Sequence, residues 1–233
     1  MTDLLDRPVW NALTSAQARL AVVTGAAVRI DPAYGPFAAA RDAEAGAQAA
    51  LLATLRGLAD RIGVVERAAW PAPPGTRVLG GGDLVQMVFE GTASEGLDDP
   101  RIELLGETDA HEMAALAHAT EPGPWGSATH RYGDYYGIRI GGRLASMAGE
   151  RLRLPGLAEL SGVSTWPEFR GQGLAAALVR RVVRGFLERG DTPFLHCYAA
   201  NVGAVALYEK LGFTPWTSDV TYRRTGSAAA GAA

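Results

Sequence analysis

The sequence contains little cysteine or histidine, and this limits the metal and redox chemistry it can support. Only Cys197 among the 233 residues is a cysteine, so neither an internal disulfide nor a cysteine-based zinc cluster can form. The four histidines are scattered along the chain. Even His111 and His118, on one predicted helix, would lie about two turns apart, too far to share one ion without distortion. We therefore expect no metal site.

Long apolar segments and an excess of positive charge are also missing. No apolar run approaches the roughly 18 to 20 residues that a membrane-spanning helix needs, and residues 1–10 contain aspartates instead of a basic start followed by an apolar stretch. The formal net charge of −3 provides no basic surface for phosphate backbones or anionic lipids. We expect a cytoplasmic monomer or homodimer that binds neither nucleic acid nor membrane.

The first hundred residues carry few recognisable elements. Apolar residues recur at three- and four-residue steps over 42–62 and predict an amphipathic helix. Residues 70–75 contain three prolines and predict a rigid loop, 80–83 predict a turn, and 84–89 predict a short strand. Residues 90–100 are rich in turn formers and acids. We therefore place a boundary near residue 100 and predict an N-terminal α/β subdomain over 1–100, which could be a degenerate copy of the domain after it.

Residues 101–224 have the pattern β-α-β-β-β-α-β-α-β. Asp109 is a candidate N-cap for the first helix, and Gly141-Gly142 suits a primed hairpin turn. The predicted strands are 101–105, 135–140, 144–154, 157–165, 193–199, 213–216 and 220–223, and the predicted helices are 109–119, 173–189 and 202–211. The fold class is therefore α/β (α+β), a mixed twisted sheet with an antiparallel meander flanked by helices. Residues 225–233, mostly small, predict a disordered tail.

A glycine-containing loop follows the last strand of this meander. In the segment Arg170-Gly171-Gln172-Gly173-Leu174-Ala175 the paired glycines open a helix, where free amides and a partial positive charge favour an anion, and Arg170 adds a cation. A phosphate-binding Walker loop would need Gly-Lys-Ser/Thr here, and a dinucleotide-binding loop would need a third glycine near 176 and a parallel sheet. Alone, the segment indicates either an anion site or a tight turn.

In this context the segment resembles the signature Q/R-x-x-G-x-G/A of the GCN5-related N-acetyltransferase (GNAT) superfamily. A second segment, Asn201 to Phe213, is similar to the family's N-x-x-A-x-x-L-Y-x-x-x-G-F. The resemblance covers about 101–224, and the sequence of residues 162–173 is most similar to the FR47-like subgroup. It implies the GNAT fold and transfer of acetyl from acetyl-CoA, the co-substrate, to a primary amine by direct attack in a ternary complex. A non-catalytic acyl-CoA-binding sensor or partner-binding module is the alternative.

The resemblance also implies roles for individual residues. The backbone of Val163, Ser164 and Thr165 would pair with the pantetheine arm, Asn201 would hold the cofactor's amide segment, and Tyr208 would protonate the departing thiolate. Glu159 is the candidate general base. The residues implied at the CoA pyrophosphate are Arg170, Gly171, Gln172, Gly173, Leu174 and Ala175. Two of these assignments have plain alternatives: Tyr208 could be core packing, and Glu159 an ordinary strand carboxylate.

The acceptor is expected near residues 121–136. Their aromatic side chains could form a wall for a small-molecule or peptide amine, or a lid over the core. This group comprises Trp125, Tyr132, Tyr135 and Tyr136, with His130 among them. Three other reactive residue types have structural interpretations: Glu168 as an ion-pair or helix-start residue, His196 as a packed strand residue, and Cys197 as an unreactive one.

Overall fold

The computed structural model describes residues 2–55, 61–67, 70–92 and 99–227. Its helices are α1 (Thr2–Asp6), α2 (Pro8–Leu13), α3 (Ala45–Ala53), α4 (Ala110–Thr120), α5 (Leu174–Glu188) and α6 (Val202–Lys210). Its strands are β1 (Ala21–Thr24), β2 (Ala27–Ile30), β3 (Ala38–Ala40), β4 (Arg61–Arg67), β5 (Thr76–Phe89), β6 (Ile102–Leu105), β7 (Tyr135–Ile140), β8 (Arg143–Leu154), β9 (Leu157–Thr165), β10 (Thr192–Tyr198) and β11 (Phe213–Ser227). None of the described helices is both long and apolar enough to cross a membrane.

One eight-stranded sheet dominates the molecule, in the order β4-β11-β5-β10-β9-β8-β7-β6. Every neighbouring pair is antiparallel except β9 with β10, which is parallel. A separate three-stranded sheet has the order β1-β2-β3. The α/β prediction of a mixed sheet with an antiparallel meander flanked by helices is therefore confirmed.

The sheet opens in its middle, between β9 and β10. These strands pair only from Leu157 to Glu159, opposite Thr192 to Phe194. Beyond that point β9 continues against β8 and β10 continues against β5. The two strands therefore diverge and leave a wedge-shaped opening between residues 160–165 and 195–198.

The element order predicted after residue 100 is confirmed, with β9 at its expected bounds, except that the two strands expected over 213–216 and 220–223 form one continuous strand, β11. At the predicted hairpin, Gly141 and Gly142 have φ of +59° and +81°, as a primed turn requires. The predicted capping bond of Asp109 was wrong. Its carboxylate bonds to the amide of Gly106 and to Arg139, and it makes no side-chain cap bond to α4.

Two N-terminal predictions were wrong. The helix expected over 42–62 ends at Ala53, and Ile62 lies in β4. The glycines expected to form a turn at 80–82 lie inside β5. A Cβ on Gly81 would stand 2.0 Å from the carbonyl oxygen of Tyr222, so glycine permits the close pairing of β5 with β11.

The boundary expected near residue 100 divides neither the main sheet nor the main core. Strands β4 and β5 come before it, yet β5 lies between β11 and β10. Val9 on α2 and Phe194 on β10 are fully buried in the same apolar cluster. The predicted tail also begins too early, because Thr225 is buried in β11, which runs to Ser227; residues 228–233 lie outside the described residues.

Candidate active site

A cavity of about 430 Å³ fills the opening between β9 and β10. Its walls are residues 160–165 of β9, residues 196–198 of β10, and one face of α6 that includes Tyr208. Arg170 and Ala175, at the start of α5, also line it. The diverging strands thus bring the two sequence motifs to one cavity. Of the predicted site residues, those lining it are Val163, Ser164, Thr165, Arg170, Ala175, Asn201 and Tyr208.

The loop before α5 has the geometry of an anion-binding helix start. Gly171 and Gly173 both have φ of +77°, and a Cβ added to either would meet no atom within 4 Å. Among the described residues no backbone acceptor pairs with the amides of 171–176, and the first such bond runs from the Ala177 amide to Gly173. These amides therefore stand free at the positive end of a 15-residue helix. Arg170 is exposed beside them.

β9 carries a bulge where it faces the cavity. Its register with β8 shifts between Ser161 and Ser164, so that Gly162 and Val163 stand opposite Ala148. Gly162 has φ of +63°, and a Cβ there would lie 2.8 Å from the ring of Tyr135. A bulge interrupts the ladder and leaves its extra residue without a ladder partner. The backbone of Val163 is therefore available to form hydrogen bonds with an extended ligand.

Ser164, just beyond the bulge, has an unused polar group. The residue is 3% exposed, and its hydroxyl has no hydrogen-bond partner among the described residues. Its carbonyl oxygen accepts a 2.9 Å bond from the Ser146 hydroxyl, which also lies 2.8 Å from Oγ1 of Thr165. The end of β9 is thereby fixed to β8 beside the cavity.

Tyr208 lies on α6 and is buried against Phe213, with ring centroids 6.0 Å apart. Tyr208 also lines the cavity. Burial raises the pKa of Tyr208, and the neighbouring Cys197 acts in the same direction. The phenol therefore keeps its proton at neutral pH. At the start of the same helix, Oδ1 of Asn201 accepts a 3.2 Å bond from the Ala204 amide and caps α6.

Glu159 lies outside the cavity lining and is completely buried. Its carboxylate receives bonds of 2.6 and 2.8 Å from Arg151 and lies 2.7 Å from Nδ1 of His196. Burial alone would raise the pKa of Glu159, but the Arg151 charge and these hydrogen bonds outweigh it and hold the pKa at about 2. Both oxygens are occupied and the group is a weak base. This geometry disfavours direct proton abstraction by Glu159.

Glu159 is one member of a buried chain of polar side chains that ends at Gln86. Nε2 of Gln86 lies 2.9 Å from Nε2 of His196 and donates to the carbonyl oxygen of Leu5 at 2.9 Å. Since that amide nitrogen is a donor, the His196 Nε2 accepts and its Nδ1 carries the proton toward Glu159. Sequence reasoning missed Arg151 and Gln86. Neither residue belongs to a recognisable sequence motif.

The expected aromatic wall is divided between the site and the core. Residues 121–124 line the cavity, whereas Tyr132 and Tyr135 are buried in the core with hydroxyls that find no partner among the described residues. Tyr136 stacks on Arg181, and His130 lies 3.2 Å from Glu107. Glu168 pairs with Arg143, and burial raises the pKa of the Cys197 thiol. Both agree with the structural interpretations of these residues.

Known proteins resemble this chain in two ways. The FR47-like protein family model matches residues 135–223. The mycothiol acetyltransferases of Thermobispora bispora and Paenarthrobacter aurescens are 46% and 39% identical over 69 residues, 29% of this chain in each case. These matches span only 23% and 21% of the lengths of those relatives.

Solved structures match almost the whole chain. A GNAT-family protein from Novosphingobium aromaticivorans is 54% identical with a TM-score of 0.89, over 96% of this chain and 98% of its own. A GCN5-related N-acetyltransferase from Kribbella flavida is 19% identical with a TM-score of 0.60 over 95% of both chains, and so shares the fold. Together with the glycine loop, the bulged β9 and the opening beside β10, the first of these matches shows that the chain belongs to the GCN5-related N-acetyltransferase family.

Proposed function

We propose that the protein transfers an acetyl group from acetyl-CoA to an amine. The observation that carries this proposal is the opening between β9 and β10, whose lining includes Arg170 and Ala175 at the start of α5 and Tyr208 on α6. One cavity would thus combine an anion-binding site at the start of α5 with a proton donor, Tyr208. Membership of the family and the names of the curated relatives support the same type of reaction, while the acceptors in those names belong to those proteins.

In the proposed complex the donor lies along β9. The amides of Gly171 to Ala175 and the side chain of Arg170 hold the pyrophosphate, because free amides at a helix start and a nearby cation favour anions. The pantetheine arm pairs with the backbone of Val163 to Thr165, where the bulge frees the strand. Asn201 contacts the amide segment from the other side while it caps α6. The thioester then points toward Tyr208.

The proposed reaction is a direct attack of the amine on the thioester. The amine nitrogen forms a bond to the thioester carbonyl carbon, the C–S bond breaks, and the CoA thiolate leaves. Tyr208 donates its proton to that thiolate and is reprotonated from solvent. The attacking amine loses one proton to a base. General acid–base transfers of this kind contribute about 10² to 10⁴ in rate.

We assign the base to Glu121 instead of Glu159. Glu121 directly follows α4, is exposed and lines the cavity, and its carboxylate has no hydrogen bond or ion pair among the described residues. It can take the proton directly or through a water molecule. Glu159 then has a positioning role: it holds Arg151 and His196, which both line the cavity, in fixed orientations.

The test is release of free thiol from acetyl-CoA in the presence of a panel of amines. We expect Tyr208→Phe to lower kcat about 100-fold, within the range for removal of a general acid, with little change in the KM for acetyl-CoA. Tyr34→Phe is the matched control, since Tyr34 does not line this cavity. An unchanged kcat in Tyr208→Phe would remove the proton-donor role. Binding of acetyl-CoA without acetylation of any amine would favour the sensor alternative.

A further inference from the structure

A second cavity of about 640 Å³ adjoins the first. The two share lining residues on the segment after α4 and on β10 and β11: Glu121, Gly123, Pro124, Tyr198 and Tyr222. Half of the residues that line only the second cavity come from the N-terminal part of the chain, including Arg29 on β2 and Arg61 on β4. No residue of 163–175, where the proposed donor lies, is among its lining residues.

Arg29 is a buried cation without a counterion. The residue is 1% exposed; its Nη1 donates to the Thr54 carbonyl oxygen at 2.8 Å and its Nε to that of Ile30 at 3.3 Å. Its Nη2 is buried and has no partner among the described residues. Asp31 acts on Arg29 electrostatically, but its carboxylate accepts from the Ala33 amide and forms no ion pair with it. Burying a charge without a counterion is costly, so an anion bound nearby would stabilise the Arg29 guanidinium.

Two more arginines line the same cavity. Arg61 begins β4, and Arg224 lies on β11 opposite Gly63 of that strand and Gly80 of β5. Both are exposed, and neither forms an ion pair within the described part of the chain. Glu121 is the single carboxylate in the lining, and it stands at the wall shared with the first cavity. The lining thus combines three arginines that line only the second cavity with one carboxylate that lines both cavities.

This distribution of charge matches a small molecule with an ammonium group at one end and an anion at the other. We propose that the acceptor is an amine that carries an oxyanion, a carboxylate or a phosphate ester, held by the exposed Arg61 and Arg224, with Arg29 supplying an uncompensated positive charge in the cavity wall. Its amino group lies at the shared wall beside Glu121, facing the thioester. Guanidinium groups suit both oxyanions because their planar donors match two oxygens at once. The proposal rests on the proposed function and extends it to the class of substrate.

The first test compares amines that differ only in the anion. With acetyl-CoA as donor, β-alanine and 6-aminohexanoate are assayed beside their amides, and phosphoethanolamine beside ethanolamine. We expect kcat/KM to favour at least one oxyanion amine by about tenfold or more over its neutral partner, from loss of a charged hydrogen bond. The carboxylate pairs and the phosphate pair show separately which oxyanion fits.

The second test removes the arginines one at a time. Arg61→Gln, Arg224→Gln and Arg29→Met should each raise the KM for the preferred amine by about 10- to 100-fold, with a smaller effect on kcat and on the neutral partner. Arg19→Gln is the control, since Arg19 is exposed and lines neither cavity. Arg29→Met also removes the hydrogen bonds to the Thr54 and Ile30 carbonyl oxygens, so its thermal midpoint is measured alongside; Arg61→Gln and Arg224→Gln, at exposed positions, test the site without that loss.

A binding measurement separates this inference from the proposed reaction. Calorimetric titration with N-acetyl-β-alanine and with O-phosphoethanolamine should show binding to the unaltered protein that Arg224→Gln weakens. If these probes bind through the arginines but no amine is acetylated, the oxyanion site stands and the acetyltransferase proposal fails. If amines are acetylated without preference for an oxyanion, the reaction stands and this inference is overturned. Absence of both binding and preference also overturns it.

Discussion

Replacing Glu159 with glutamine tests the buried chain of polar side chains behind the cavity. Glutamine keeps the size of the side chain but removes the charge that pairs with Arg151, whose side chain is 11% exposed. It also places an amide NH₂ group where two oxygens accept from Arg151 and His196. One donor would then face another, and the guanidinium would be buried without its carboxylate.

The loss of folding free energy in Glu159→Gln can be worked out in two ways. Removing one partner of a buried ion pair costs about 3–5 kcal/mol. The pKa of Glu159 is held at about 2 against an ordinary 4.5, and a difference of that size corresponds to about 3 kcal/mol of folding free energy at neutral pH. We therefore expect Glu159→Gln to lower the free energy of unfolding by about 3 kcal/mol at pH 7. Domains are stable by only about 5–15 kcal/mol, so the loss should be plain.

The assay is urea unfolding followed by tryptophan fluorescence, with two comparison proteins. Glu168→Gln breaks an ion pair with Arg143 whose two side chains are about half exposed, and should cost less than about 1 kcal/mol. The double variant Glu159→Gln/Arg151→Met removes both charges and should recover part of the loss, because no guanidinium is left unpaired.

The pH dependence of the stability tests the Glu159 ion pair independently. Because the folded pKa of Glu159 is lowered, its contribution is complete above about pH 4.5 and is lost as the pH falls toward 2. The stability gap between the unaltered protein and Glu159→Gln should therefore narrow between pH 5 and pH 3. A gap that stays below about 1 kcal/mol at pH 7, or that does not change over this range, would refute the reasoning.

Two further predictions concern the glycine loop and the N-terminal strands. Gly173→Ala should weaken acetyl-CoA binding and lower stability by about 1–2 kcal/mol, since an alanine would hold φ of +77° and point a methyl group into open space at the anion-binding site. Gly190→Ala, with φ of +81° and equally open surroundings, should match the stability loss without the binding loss; equal effects on binding would contradict the assignment. A chain starting at Arg101 lacks β5, the partner of both β10 and β11, and should be insoluble by sedimentation and unfolded by circular dichroism; a soluble, folded product that binds acetyl-CoA would show that the halves are separable.

The predictable part of the fold is the part governed by local pattern. The meander from β7 to β9 was predictable from strand segments joined by the glycine turn at 141–142, and α5 from its apolar spacing. The N-terminal part depends on distant contacts. Gly81 belongs to a strand because Tyr222, more than a hundred residues later, lies against it, and no local signal distinguishes this from a turn.

The candidate site divides in the same way. Val163, Arg170 and Tyr208 line one cavity, as the motifs indicate, because each motif is a contiguous segment whose backbone shape is set locally. Glu159 shows the limit of such reasoning. Its position on β9 was evident, but Arg151 and His196 saturate its carboxylate, and their approach depends on the pairing of β8, β9 and β10.

This division bears on which relatives can inform the acceptor. The FR47-like match over 135–223 contains the bulge of β9, the glycine loop and Tyr208, which together make the proposed donor site. It contains neither Arg29, Arg61 nor Glu121, and it ends one residue before Arg224. A relative similar only over that segment therefore shares the residues of the proposed donor site, and the similarity says nothing about the second cavity. We expect the three arginines to determine which amine is accepted. A relative that retains them should therefore prefer oxyanion amines, whatever its sequence identity to this chain over the donor segment.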